Sequence, residues 1–175
     1  TPFKDASEYS TVINACGRNN NYELGMDVIK GHRAQRHVEL EALVKEHKQY
    51  LAQSLTKIQE NNSVEIMDNI QYFNGDDVKA SVVGTIAGML LNNYDWQKPI
   101  VGYTHIDSDT PGYKVSLRCS RLLGYDGVHY GNLVRDISQK CGGSGGGHSV
   151  ACGAYIPEDN IDQFLELLNN SVNFN

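Results

Sequence analysis

The sequence predicts an α/β protein: a helical N-terminal connector followed by a mixed sheet with flanking helices. Three observations carry that expectation. Residues 34–60 hold a loose apolar stripe at helical spacing, with Lys, Glu and Gln between the apolar positions. After residue 63 the pattern changes to short alternating or apolar runs that take turns with helical ones. Residues 141–155, CGGSGGGHSVACGAY, then join a helical pattern to a strand-like one through five glycines and one serine. The division falls at residue 62, with a connector over 1–62 and a sheet-bearing domain over 63–175.

Asp5 to Cys16 reads as a helix, capped by Asp5 with Glu8 three residues on, and with Tyr9, Val12, Ile13 and Cys16 on one face. Gly17 is expected to end it, as a glycine just past the last turn does, so that Arg18 projects from a helix terminus. A short helix follows from about Asn21 to Lys30. In the long run from Ala34 to Glu60 the stripe is Val38, Leu43, Tyr50, Leu51, Leu55 and Ile58. At ~1.5 Å per residue such a helix spans roughly 40 Å. That length suits a strut, and an ordinary amphipathic surface helix fits the charges equally well.

Val64–Met67 and Ile70–Phe73 are short strands by composition. Asp76 to Asn93 reads as a helix with Val82, Val83, Ile86, Leu90 and Leu91 inward; Gly84 and Gly88, four apart, flatten one face for close packing. Lys98 to His105 is a buried strand. Tyr113 to Cys119 alternates, with Val115, Leu117 and Cys119 on one face and Lys114, Ser116, Arg118 and Ser120 on the other. Ser116 and Arg118 therefore share a face, which is either a solvated sheet face or a binding one. A helix over His129–Lys140 leads into the glycine run. A strand over His148–Ile156 follows it. Glu158–Ser171 closes the chain as an amphipathic helix with Ile161, Phe164, Leu165, Leu168 and Val172 at helical spacing.

Composition narrows the function. Hydrophobic residues make up 40% and charged residues 21% of the 175, the balance of a globular domain large enough for a real core. No apolar run approaches the ~20 residues that span a bilayer. Cys16, Cys119, Cys141 and Cys152 form no Cys-x-x-Cys pair, which argues for reduced thiols in a cytoplasmic protein and against a disulfide framework or zinc ribbon. Cys141, His148 and Cys152 lack a fourth metal ligand at a usual spacing. His105, Asp107 and Asp109 read as loop residues ahead of the Pro111-Gly112 turn. The net charge of −6 argues against bulk attraction to nucleic acid, so a phosphate would be met locally, by a few arginines and backbone amides.

The glycine run reads as an ordered loop, with a flexible linker as the plainer alternative, and it is the stretch most suggestive of chemistry. Glycine loses more backbone entropy on folding than other residues, so an ordered run needs a reason such as a sharp turn or a close approach. Successive amides with no Cβ in the way form a concave anion site, for which phosphate is the usual anion. His148 adds a donor that can carry charge near neutral pH. No lysine follows the glycines as in an ATP-binding loop, and no Ser-His-Asp or Cys-His order suggests acyl transfer.

GGSGGGHSVACGA, with its Gly-Gly-Gly-His, Ala151 and Gly153, resembles the signature of the DHH-associated domain of the DHH phosphoesterase superfamily. KVSLRCS, Lys114 to Ser120, is similar to the strand that carries Ser-x-Arg in that family. INACGR, Ile13 to Arg18, is similar to the Asn-Ala-x-Gly-Arg motif of RecJ-type exonucleases. Order and spacing resemble the archaeal RecJ-like single-strand nucleases over essentially the whole chain. Cys152 stands where the family usually has a small residue.

The resemblance implies a division of labour. Family members hold two divalent ions, Mn²⁺ or Mg²⁺, in a separate N-terminal domain bearing aspartate motifs and Asp-His-His; no Asp-His-His occurs here. The chain is thus expected to be the C-terminal part of a longer nuclease, which the opening Thr1-Pro2 suits. The implied role is the nucleic-acid phosphate-binding part of a metal-dependent 5′→3′ single-strand exonuclease. Ser116 and Arg118 would hold backbone phosphates. Gly145, Gly146 and Gly147 would bring amides to the scissile region. His148 would contact or orient the phosphate as the catalytic candidate, and Arg18 would grip the 5′ end. Lys114 and Arg121 are weaker candidates for the strand's path. Single-stranded nucleic acid is the implied partner, with the GINS replication complex a second. The alternatives are a non-catalytic phosphate-binding module of a replication scaffold and part of an oligonucleotide or dinucleotide phosphodiesterase.

Overall fold

The computed structural model describes residues 5–32, 34–106, 110–125 and 127–172. Asp107 and Asp109, with Thr1 and Pro2, lie outside the described residues. The chain divides into two compact units, Thr1–Gln53 and Ser54–Asn175. The division falls inside a long helix.

The first unit is helical. Helix α1 (Ala6–Arg18) is capped by Asp5, whose carboxylate accepts a bond from the Glu8 amide at 2.8 Å. It does not stop at Gly17. The chain turns left-handed only at Asn20, with φ 57°, a conformation that asparagine tolerates well, so the helix runs on to Arg18. Asn21 caps α2 (Tyr22–Ile29) through the Leu24 amide at 3.4 Å. The long helix α3 (His37–Glu60) forms, but its buried positions are Leu40, His47, Ser54 and Ile58, and Val38 of the expected stripe is exposed. The unit's core is Val12, Cys16, Leu24, Val28 and Leu40. Arg36 closes it with ion pairs to Asp27 at 2.8 Å and Glu39 at 3.1 Å.

The second unit is a six-stranded sheet in the order β1-β2-β3-β4-β6-β5. Its strands are β1 (Val64–Ile66), β2 (Gln71–Asn74), β3 (Ile100–Ile106), β4 (Gly112–Arg118), β5 (Ser144–Gly147) and β6 (Ala151–Pro157). Only β2 and β3 pair in parallel, and α4 (Val83–Leu90) lies in the crossover between them. The sheet is therefore mixed, with helices flanking it, as the sequence predicts. Helix α4 is shorter than its apolar pattern. Asp76 instead ties the end of β3, accepting from the His105 amide at 2.7 Å, while its own amide bonds Asn74. Those bonds hold the chain in turns until Val83.

The strand alternation sorts the two faces. Val115, Leu117, Cys152 and Ile156 belong to one core cluster with Val134 and Ile137 of α6 (Tyr130–Lys140) and Phe164, Leu165 and Leu168 of α7 (Ile161–Ser171). A short helix, α5 (Arg121–Tyr125), precedes α6 and was not legible in the apolar pattern. The opposite face packs on α4. A Cβ added at Gly102 would lie 2.5 Å from the Phe73 ring and 2.9 Å from Val83. At the start of β4, Tyr103 and Tyr113 stack edge to face at 5.3 Å, with His105 a further 5.6 Å from Tyr113. Asn169 of α7 clamps the β1–β2 turn by two bonds to Asn69, at 2.8 and 2.9 Å.

The glycine run is not a loop. Residues Ser144–Gly147 form the edge strand β5, paired antiparallel with β6. The next residues, 148–150, form the hairpin turn rather than the expected start of the strand, and the His148 amide bonds Ala151 O at 3.0 Å. Gly146 and Gly147 take φ of 147° and 139°, where side chains are rare.

Two expectations follow for stability. A Cβ at Gly131 would meet Gly147 O at 2.1 Å, whereas nothing lies within 4 Å of one at Gly17. Gly131→Ala should cost about 3 kcal/mol in urea unfolding, because two backbones must separate. Gly17→Ala should instead stabilise by roughly 0.5–1 kcal/mol through helix propensity. Equal effects would show that the α6–β5 contact is loose.

The cysteines give the second. All four are free and buried. Burial pushes the Cys152 thiol up to about 12 and Cys119 to about 11. The native thiols stay protonated while unfolded ones ionise near 9, so their contribution is intact below that pH and is lost as pH rises toward the native values. Urea midpoints should hold near neutrality and decline above about pH 9. Cys119→Ser/Cys152→Ser should flatten part of that decline; an unchanged decline would assign it wholly to other groups.

Candidate phosphate-binding site

The hairpin end of the sheet gathers most of the residues singled out by the sequence. The register aligns Ser116 with Gly153 and Gly153 with Gly146. One step toward the hairpin, Arg118 pairs with Ala151, which is joined in turn to His148. Three adjacent strands thus bring Arg118, Ala151 and His148 into one row, with neighbouring strands about 4.8 Å apart. The Cys119 amide extends this end, bonding Val150 O at 3.1 Å.

Each group is held differently. In an antiparallel ladder hydrogen-bonded pairs alternate. With the His148–Ala151 bond fixed, Gly146 falls on a bonded position and Gly145 and Gly147 fall between bonded positions, where the Gly147 carbonyl meets the first turn of α6. His148 is exposed. Its main-chain amide is used by the hairpin, so its contribution to a ligand is the imidazole. Ser116 is only 7% exposed and faces α4; a Cβ at Gly84 would sit 3.2 Å from its hydroxyl. The polar face of β4 is therefore covered by a helix, not solvated. Arg118 is half-buried, and its Nη1 donates to Leu117 O at 2.8 Å and Cys152 O at 3.4 Å.

Helix α6 completes the site from the other face. Its N-cap is His129, whose Nδ1 accepts from the Asn132 amide at 3.2 Å. Gly131 then brings the first turn onto Gly147 and His148; its added Cβ would lie 2.1 Å from Gly147 O and 3.0 Å from His148 O. The positive end of the helix dipole is thereby set beside the glycine strand, a polarity that favours an anion.

Other candidates lie elsewhere. Arg18 belongs to the first unit, where it is the last residue of α1 and half-buried. Lys114 is on β4, four residues before Arg118, and Arg121 is exposed at the start of α5. His129 and Gly131 were missed by sequence reasoning. The cue available was a histidine at an N-cap position followed closely by glycine, which is weak. Among the described residues, no three His, Cys, Asp or Glu side chains come together to hold a metal ion. Nor is any described helix long and apolar enough to cross a membrane.

Comparisons with known proteins bear on the family and the fold. The DHHA1 domain family matches residues 47–173. The uncharacterized protein MJ0831 of Methanocaldococcus jannaschii is 31% identical over 172 residues, 97% of this chain and 35% of that protein. Crystal structures of RecJ from Thermus thermophilus share the fold: the Mn²⁺ complex superposes with a TM-score of 0.65 at 16% identity, over 91% of this chain and 23% of that one. The DHH-domain structure of a member of the s1p family of ribosomal proteins gives 0.54 at 20% identity, over 79% of this chain and 34% of that one. The chain thus spans about a third of the length of its curated relative. With the family matched across the sheet, the chain belongs to the DHHA1 domain family.

Proposed function

We propose that this chain is the nucleic-acid phosphate-binding part of a metal-dependent 5′→3′ single-strand exonuclease. The observation that carries the reading is the row Arg118–Ala151–His148 beside a side-chain-free edge strand with a helix N-terminus behind it. An arginine fork pairs bidentately with phosphate. The amides of Gly145 and Gly147, which fall between ladder bonds, are the backbone donors of this reading, and the exposed imidazole of His148 donates to the same anion. Gly146 sets the strand's curvature, and Ser116 lies beside the guanidinium. Arg18, in the first unit, is carried as a separate candidate contact for the 5′ end.

The metal lies outside this picture. The described residues offer no three-ligand cluster and do not fit a divalent ion, so no step is assigned to one here. In the parent, Mn²⁺ or Mg²⁺ would supply the activated water and charge stabilisation; the RecJ structures are complexes of such ions. GINS is proposed as a partner of that parent.

The purified chain, with or without Mn²⁺, should release no nucleotide from a labelled single strand. Metal-dependent release by a preparation free of contaminating nuclease would contradict the reading. In the intact parent, His148→Ala should lower turnover about 10²-fold, as loss of a charge-stabilising group typically does. Its melting temperature should be unchanged, since His148 is exposed at the hairpin. A variant that melts many degrees lower yet digests normally below its melting point would make His148 structural.

A further inference from the structure

Helix α4 meets Arg118 where a side chain would ordinarily stand. A Cβ at Gly84 would lie 2.6 Å from Nη2 and 3.2 Å from Cζ of Arg118. One turn on, at Gly88, an added Cβ would come no closer than 4.0 Å, to Cγ. The guanidinium is thus pressed against bare helix backbone on one side. On the other, Nη1 is bonded to the carbonyls of Leu117 and Cys152. A side chain of high rotamer entropy is held in one orientation before any ligand arrives, which lowers the cost of binding.

Packing alone does not demand a glycine at 84. At Gly102 an added Cβ would strike the Phe73 ring at 2.5 Å, inside the core. At Gly84 its nearest clash, at 2.6 Å, is with the far end of a flexible side chain, which could swing aside, while the Ser116 hydroxyl at 3.2 Å would have to give only slightly. Alanine would also favour the helix more than glycine does. Stability therefore gains nothing from Gly84, and the arginine does.

We infer that Gly84 is a positioning residue for Arg118: the absent side chain sets where the guanidinium lies and aims it along the row toward His148. The inference rests on the reading of Arg118 as a phosphate ligand, and the experiment separates the two. The full chain, Gly84→Ala, Arg118→Ala, their double variant and Gly88→Ala are titrated into a labelled oligo-dT at low salt, by fluorescence anisotropy, and melted in parallel.

Gly84→Ala should weaken binding about tenfold, in the range of one lost charge-assisted bond, with an equal or higher melting temperature. Arg118→Ala should weaken it comparably, the double variant no further than Arg118→Ala, and Gly88→Ala not at all. Normal binding by Gly84→Ala beside weak binding by Arg118→Ala would overturn the positioning role. So would losses that multiply in the double variant. Normal binding by Arg118→Ala, or no binding by the unsubstituted chain, would overturn the phosphate reading and the inference with it. Should Gly84→Ala fail to fold, the Arg118 Nε–H resonance of the unsubstituted chain decides: a resolved, exchange-protected signal is expected, and one averaged with solvent overturns the inference.

Discussion

The contact on which the site depends is backbone against backbone: the first turn of α6 lies on the glycine strand β5 with no side chain between them at Gly131 and Gly147. A helix ordinarily stands about 10 Å off a sheet because side chains fill the layer between. Here glycine on both partners removes that layer locally. The outcome is an edge strand held without side-chain contacts of its own, a helix N-terminus brought beside it, and a hairpin that presents His148. The entropic cost of ordering so many glycines is offset by β6 pairing on one edge and α6 contact on one face.

The same device recurs across the sheet with a different occupant. Where Gly131 admits a backbone, Gly84 admits a guanidinium. The two helices lie on opposite faces, and strand pairing carries Arg118 and His148 into one row between them. The acidic total charge then matters less, since the proposed ligand is met by aimed donors and not by a broad positive field.

Much of this was legible from alternation and capping. Period-two spacing put Ser116 and Arg118 on one face of β4, and the Asp5 cap and the presence of the long helix α3 read directly. What hides a feature is the lack of the signal it needs. A strand is recognised by alternating side chains, and β5 has almost none, so it reads as a loop. Gly17 looks like a stop, but the left-handed turn sits at Asn20, a residue type that also tolerates that conformation. The start of α4 is decided by Asp76 bonding a strand distant in sequence, which no local pattern reports. The i, i+4 glycines of α4 announced a close approach; only the structure shows that Arg118 is what approaches.

The central claim is that the hairpin end of the sheet, and not another surface, receives the phosphate. Backbone amide shifts of the isotope-labelled chain, titrated with a short oligo-dT at low salt, test it most directly. The account predicts that the largest changes fall on Gly145, Gly147 and His148, with Arg118 and the first turn of α6 responding alongside. Shifts confined to the opposite end of the sheet, around Tyr103 and Tyr113, or to helix α2, would contradict it.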